Sequence, residues 1–202
     1  MISECSLLQN IPCRRITDGY FLPLQTVIAE NGNTIRLTIM GLNTLTFRQC
    51  IPVSIEEAWE FFSDPANLAR ITPPEMFFRI TSGTAGQQIY EGMLITYTLY
   101  PFMMLPVQWE TEITKVDRPF LFEDRQKSGP YGSWRHRHQF REIPGGIEMT
   151  DRIDYSMPFG VFGDLVNALI VSRRLEEVFV YRKRKTGELL GVMNSASLHR
   201  HA

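Results

Sequence analysis

Hydrophobic and polar positions follow two different periods along this chain. Between about residues 42 and 156, apolar and polar residues alternate in several short segments, most clearly around Ile95, Tyr97 and Leu99. A period of two predicts strands that bury one face. Between residues 159 and 190, apolar residues recur at spacings of three and four, which predicts a single long helix.

The alternating segments predict an antiparallel meander. Short links rich in glycine and proline join them, and such links suit neighbouring antiparallel strands. Two short helices follow the first strand; Ser54 and Glu57 form a capping box for the first of them, and Pro73 ends the second. The predicted strands are 42–51, 77–81, 93–100, 107–116, 121–126, 134–142 and 147–156.

The long helix needs a partner for its apolar residues. Leu165, Leu169 and Leu175 are predicted to share one face with Val178, and this face is expected to pack on the concave side of the sheet. Gly191 is placed to end the helix. The predicted fold class is therefore α+β: a curved antiparallel sheet of about seven strands wrapped around a long C-terminal helix.

Four segments of this sequence resemble the SRPBCC superfamily, which includes START domains, polyketide cyclases and the birch-pollen allergen. They are IPVSIEEAWEFFSDPANLARITPP, GPYGSWRHRHQF, MTDRIDYSMPFG and RRLEEVFVYRKR. The pattern is most similar to the bacterial ligand-binding branch. The resemblance implies a helix-grip fold over residues 42–191. It leaves residues 1–41 as a leader or arm, ordered or disordered, and residues 192–202 as a flexible tail.

Composition narrows the class of protein. The chain has 202 residues, 44% of them hydrophobic and 21% charged, which suits one domain with a real core. A net charge of -1 gives no field that would attract nucleic acid. Three cysteines without metal-ligand spacing, no apolar run long enough to span a bilayer and no basic start typical of a secretory signal predict a cytoplasmic protein.

The segment WRHRHQF carries the strongest candidate chemistry. Strand alternation places Trp134, His136, His138 and Phe140 on one face, and a face that carries Trp and Phe is expected to point inward. If the following hairpin has an even-length loop without a bulge, Asp151 of the next strand shares that face. A carboxylate beside an imidazole fixes its tautomer and favours its charged form.

This cluster of His136, His138 and Asp151 has three possible interpretations. The first is a satisfied polar cluster with a structural role, because buried polar groups are generally hydrogen-bonded. The second is ligand recognition, and the third is general acid–base catalysis by His136 or His138 with Asp151 orienting the ring. An H-x-H pair without a third ligand nearby is the weakest basis for a metal site, so the sequence predicts neither a metal nor a cofactor.

Apolar loops predict a rim at one end of the sheet. The loop from Pro101 to Pro106 is expected to lie beside residues 129–133 and 158–163. This rim is read either as a portal for an apolar ligand or as a plug over the core. The predicted ligand-binding residues are Tyr97, Met103, Met104, Trp109, Trp134, His136, His138, Asp151, Leu165 and Leu169.

The favoured function is the binding or transport of a hydrophobic small molecule, such as a lipid, an isoprenoid or an aromatic polyketide-like compound. The alternative is a cyclase/dehydratase-type or hydrolase-type enzyme that uses His136 or His138. A weaker third option is an interaction module whose basic end, residues 182–185, docks a partner. Transient membrane contact is expected through the Pro101 to Pro106 loop. The sequence does not set the oligomeric state.

Overall fold

The alternating segments pair into one antiparallel sheet. The computed structural model describes residues 26–30, 34–39, 41–84, 86–102 and 105–193. The strands are β1 (Thr26–Glu30), β2 (Thr34–Ile39), β3 (Leu42–Ile51), β4 (Arg79–Ile80), β5 (Leu94–Phe102), β6 (Leu105–Asp117), β7 (Leu121–Ser128), β8 (Ser133–Ile143) and β9 (Gly146–Ser156).

The strand order is β1-β2-β3-β9-β8-β7-β6-β5-β4. From β5 to β9 each strand pairs with the next in sequence, as a meander requires, and β9 then pairs with β3. The seven strands β3 to β9 form the curved sheet that holds the C-terminal helix, and two short helices follow β3. The predicted helix-grip fold is therefore confirmed.

Two further strands extend this sheet at its N-terminal edge. One of them, β2, spans Thr34–Ile39, a segment in which apolar and polar residues alternate as is typical of a strand. β2 pairs with β3, and β1 pairs with β2 to form the outer edge. The proposed boundary at residue 42 remains a prediction, and residues 1–25 and 194–202 lie outside the described residues.

Two capped helices, α1 (Ile55–Phe62) and α2 (Pro65–Arg70), cover one end of the sheet. The Ser54 hydroxyl accepts the Glu57 N–H at 3.1 Å, as the capping-box pattern predicts. α1 buries Trp59 edge-on against Phe122 and Phe140 of the sheet. These side chains belong to the largest hydrophobic cluster of the core.

The C-terminal helix runs over residues 161–190 in three parts. These are α3 (Val161–Val166), a π-helical turn (Asn167–Val171) and α4 (Ser172–Leu190), which ends at Gly191 with a φ of 97°. Asn167 in the π turn accepts from the Tyr155 hydroxyl at 2.9 Å and donates to Asn43 at 3.0 Å. This buried network ties the helix to β9 and β3.

The prediction that Leu165 and Leu169 are buried against the sheet is wrong. They are 58% and 68% exposed, whereas Val178 and Phe179 are buried. Even in an ideal α-helix, nine residues advance the chain by about two and a half turns, so Leu169 and Val178 do not share a face. The spacing of apolar residues did not show which face of the helix is buried, because both faces of its first half are apolar.

The outer face of the helix start is consequently apolar and exposed. Its members, each at least 45% exposed, are Phe159, Val161, Phe162, Leu165, Val166, Leu169 and Ile170. Within the described residues, no helix combines the length and the apolar character that crossing a membrane requires.

Candidate functional site

A cavity of about 360 Å³ lies between the sheet, the C-terminal helix and the two short helices. Most of its wall is apolar or aromatic. The sheet contributes Ile95, Tyr97, Leu99, Val107, Trp109, Thr111, Ile113, Phe122, Trp134 and His136, among others. The helix contributes Val171, Arg174, Leu175, Val178, Phe179 and Arg182.

One part of this wall is polar, and strand register builds it. β7 and β8 place Asp124 opposite His136, and β8 and β9 place His138 opposite Asp151. The link between β8 and β9 consists of Pro144 and Gly145, and the β8–β9 register shows no shift. Even residues of β8 therefore share a face with odd residues of β9.

Two carboxylates and two imidazoles meet at this point. Asp151 Oδ1 lies 2.6 Å from His138 Nδ1 and 3.3 Å from His136 Nε2. On the other side, Asp124 Oδ2 lies 3.7 Å from His136 Nδ1 and 4.0 Å from His138 Nε2. The imidazole rings lie 3.9 Å apart, and the His138 ring stacks on Phe122 at 4.2 Å.

Burial separates the electrostatic roles of these groups. It raises the pKa of Asp124 to about 7, although His138 and Arg182 oppose this shift. Burial and the neighbouring His138 lower the pKa of His136 to about 3, against the opposing effect of Asp151. Burial would raise the pKa of Asp151, but His138 and His136 hold it below its ordinary range. At neutral pH, Asp151 is ionised and His136 is uncharged.

Besides the imidazole nitrogens that contact Asp151 without hydrogen-bond geometry, two nitrogen donors in the cavity wall have no hydrogen-bond partner among the described residues. They are the indole Nε1 of Trp109 and the Nε of Arg182. The Arg182 guanidinium lies 4.7 Å from the centre of the Phe179 ring, and its charge acts on both Asp124 and Asp151. A buried donor without a partner costs free energy, so both atoms are candidates to bind a ligand acceptor.

On the opposite face of the sheet, ion pairs join β7 to β8. Glu123 points outward between two arginines, 2.7 Å from Arg135 and 2.9 Å from Arg137. Adjacent residues of a strand point to opposite faces, so this pairing fixes Asp124 inward.

The structure brings together most of the residues predicted for the site. Tyr97, Trp109, Trp134, His136 and His138 line the cavity, and Pro101, Leu105, Pro130 and Met157 line it at the predicted rim. Asp151 lies behind the two imidazoles and outside the cavity lining. Leu165 and Leu169 face away from it, which corrects their predicted place in the site. Met103 and Met104 lie outside the described residues.

Sequence reasoning missed Asp124 and Arg182. In β7, Leu121 and Phe122 are both apolar and Glu123 and Asp124 are both acidic, so alternation alone does not tell which acid faces inward. The signal lay in the next strand, where Arg135 and Arg137 are outward partners for Glu123. Arg182 belongs to the basic run of residues 182–185, and such a run is typical of a solvated helix face rather than of a cavity wall.

Comparisons with known proteins support the fold alone. No protein-family model matches the sequence, and no curated protein matches it. A protein of Chromobacterium violaceum has a TM-score of 0.58 and 10% identity, covering 74% of this chain and 98% of that one. A major latex-like protein of Panax ginseng has a TM-score of 0.56 and 13% identity, covering 74% and 98%. A protein of Mycobacterium smegmatis has a TM-score of 0.55 and 19% identity, covering 73% and 90%.

Proposed function

We propose that this chain is an SRPBCC protein that binds or transports a hydrophobic small molecule, such as a lipid, an isoprenoid or an aromatic polyketide-like compound. The ligand lies in the cavity between the sheet and the C-terminal helix. The volume of about 360 Å³ falls in the range of about 300–1,000 Å³ typical of small-molecule sites. A mostly apolar wall with a few convergent polar groups also suits such a site.

The observation that carries this proposal is the pair of unpartnered donors in an apolar wall. Trp109 Nε1 and Arg182 Nε have no hydrogen-bond partner among the described residues. Both lie beside aromatic rings, Trp109 near Tyr97 and Trp134, and Arg182 over Phe179. The ligand is therefore an apolar or aromatic compound with a hydrogen-bond acceptor, such as a carbonyl or carboxylate, at its polar end.

The fold supports this proposal by analogy only. The helix-grip arrangement is common among ligand-binding proteins of this superfamily, and a plant major latex-like protein is among the structural neighbours. Because one fold hosts many functions, the argument for binding rests on the cavity and its donors.

Native mass spectrometry of the purified chain tests the proposal. A bound apolar compound should appear as a mass increment that is lost after denaturation. Val171→Phe fills the cavity from the helix, whereas Leu169→Phe adds the same ring on the exposed outer face. The increment should disappear in the first variant and persist in the second. Equal increments in both folded variants would place the ligand elsewhere and overturn the proposal.

His138→Phe tests recognition of the polar end. The substitution keeps a ring that stacks on Phe122 but removes both nitrogens. It should weaken binding of the co-purified compound by about 1–3 kcal/mol if the ligand is hydrogen-bonded there. Unchanged affinity would leave Trp109 and Arg182 as the donors that select the ligand.

The alternative is an enzyme of the cyclase/dehydratase or hydrolase kind. The observation in its favour is Asp151, which lies 2.6 Å from His138 and so can hold that imidazole in one tautomer. Incubation of the protein with its co-purified compound should then change the mass of that compound, and His138→Phe should abolish the change. A bound compound of constant mass supports the binding protein instead.

Transient membrane contact is a second proposal for the rim. Leu105, Phe159 and Phe162 are 70%, 86% and 81% exposed. Apolar side chains of this size on the predicted rim suit contact with a lipid surface during ligand transfer. Neutral phosphatidylcholine vesicles should co-sediment with the protein, and Phe159→Ser with Phe162→Ser should reduce the bound fraction. Val180→Ser, at an apolar position that is 62% exposed on α4, is the control.

A further inference from the structure

Three donor atoms converge on one region of the cavity wall. Asp124, His136 and His138 each offer one ligand atom, and the three atoms all lie within 4.8 Å of one another. Asp124 Oδ2 is 3.7 Å from His136 Nδ1 and 4.0 Å from His138 Nε2. Ligand atoms at about 2.0–2.1 Å from a tetrahedral metal ion are about 3.4 Å apart. The two distances from Asp124 exceed this separation by about 0.3 and 0.6 Å, so the side chains must move closer together for all three atoms to bind one ion.

Asp151 orients both imidazoles for this role. Its Oδ1 lies 3.3 Å from His136 Nε2 and 2.6 Å from His138 Nδ1, the nitrogens that face away from Asp124. A histidine that binds a metal ion usually donates its other ring N–H to a carboxylate, which fixes the tautomer and the ring direction. Neither contact has hydrogen-bond geometry in this structure; once both N–H groups turn to Asp151, each ring presents a lone pair towards Asp124.

Carboxylate groups flank the imidazole pair on both sides. The side chains of Asp124 and Asp151 are only 14% and 11% exposed, so both carboxylates are largely shielded from solvent.

We propose that Asp124, His136 and His138 form a three-ligand site for a divalent transition-metal ion of the Zn²⁺ type, with Asp151 as the positioning residue. Two imidazole nitrogens and one carboxylate oxygen suit Zn²⁺ and its first-row neighbours, whereas Mg²⁺ and Ca²⁺ prefer oxygen ligands. The three ligands line the cavity, so the fourth position faces the space where a ligand would lie. This inference does not depend on the proposed binding of an apolar molecule.

Metal titration of the full-length chain tests the site. The protein is first freed of metal by a chelator that is then removed. Zn²⁺ alone is titrated by calorimetry, and Co²⁺ alone is followed by its visible absorption, which reports coordination number. The chain has four histidines, and the other two, His199 and His201, lie near its C-terminus. Every titration therefore uses the His199→Ala, His201→Ala background as well as the native chain.

Four variants locate the ion. Asp124→Asn, His136→Gln and His138→Gln should each weaken Zn²⁺ binding by at least tenfold, because each removes one ligand. Asp151→Asn should weaken it by about 10–100-fold and leave the four-coordinate Co²⁺ spectrum in place. Glu123→Gln is the matched control, since this adjacent acid of β7 faces outward between two arginines. It should leave Zn²⁺ affinity unchanged, and circular dichroism verifies the fold of each variant.

The expected result is one Zn²⁺ per chain in the background lacking the tail histidines, and a rise in melting temperature that Asp124→Asn abolishes. The absence of stoichiometric binding in that background overturns the proposal. Equal affinity in folded Asp124→Asn and the parent chain overturns it too. Neither result affects the binding of an apolar compound measured by mass spectrometry, so the two proposals fail separately.

Discussion

Two adjacent acidic residues of β7 have opposite roles. Asp124 faces the cavity cluster, whereas Glu123 faces outward between Arg135 and Arg137. Burial alone would raise the pKa of Glu123, but hydrogen bonds from the two arginines hold it below the ordinary value of 4.5. A carboxyl group with a depressed pKa stabilises the fold above its unfolded pKa, and this stabilisation is lost as the pH falls through the folded value.

Glu123→Gln tests this assignment. At pH 7 the variant should lose about 1 kcal/mol of unfolding free energy, because it loses a charged partner for two half-exposed arginines. The difference from the wild type should shrink as the pH falls below 4.5, where the unfolded chain takes up the proton first. Urea unfolding at pH 7 and pH 3 measures it. An equal difference at both values would mean that packing, rather than charge, explains the loss.

Asn167 is a second residue that is expected to contribute strongly to the stability of the fold. Its amide joins Tyr155 and Asn43 in a buried hydrogen-bonded chain. Asn167→Leu should lower the unfolding free energy by about 2–3 kcal/mol, because two hydrogen bonds are removed in a dry setting. Ala168→Leu, at the exposed neighbouring position, is the control and should change stability by less than about 0.5 kcal/mol. A similar loss in both variants would assign the effect to the π turn itself.

At the level of elements, the C-terminal helix has two apolar faces, one buried and one exposed, although their hydropathy is similar. Val178 is 8% exposed in the core, and Leu169 is 68% exposed. Val178→Asp should prevent stable folding because it buries an unpaired charge. Leu169→Asp should leave the melting temperature nearly unchanged and raise solubility. Thermal unfolding monitored by circular dichroism compares them, and a strongly destabilised Leu169→Asp would show that the outer face is covered in solution.

Strands and helices were predictable here because the backbone period appears in the sequence. The alternation in β8 alone places Trp134, His136 and His138 on the inner face. The buried face of the C-terminal helix was not predictable in the same way. Its first half is apolar on both sides, and two residues of its inward face are polar: Asn167, which hydrogen-bonds to Tyr155 and Asn43, and Arg182, which lines the cavity. Polar residues that face a cavity resemble surface residues when only the sequence is read.

For the whole molecule, the N-terminal hairpin of β1 and β2 is the part of the sheet that we expect the fold to need least. β1 and β2 pair only along one edge, through β3. We propose that a chain without residues 1–41 still folds, because the seven strands β3 to β9 and the helices retain their cores. β3 would then become an edge strand with unpaired backbone groups, which favours association. The shortened chain should keep its far-ultraviolet spectrum and self-associate in analytical ultracentrifugation. An unfolded spectrum would contradict the proposed boundary.

The sheet topology follows from the order of the strands along the chain. The site, in contrast, depends on contacts between residues of different strands and the C-terminal helix. The polar cluster gathers one residue from β7, two from β8, one from β9 and one from α4. Sequence reasoning recovered the pair of strands joined by a two-residue link, since that register follows from parity. It missed Asp124, which depends on a third strand, and Arg182, which depends on how the helix is rotated.

The three tryptophans of this chain all lie in or beside the cavity. Trp109 and Trp134 line it with their rings 5.2 Å apart, and Trp59 is buried in the adjoining core. The Trp134 ring is also 6.3 Å from His136. Intrinsic fluorescence therefore comes from the neighbourhood of the cavity, without background from tryptophans at the surface. An occupant that displaces water should shift the emission, and a coloured ion such as Co²⁺ should quench it, so the protein supplies its own optical probe.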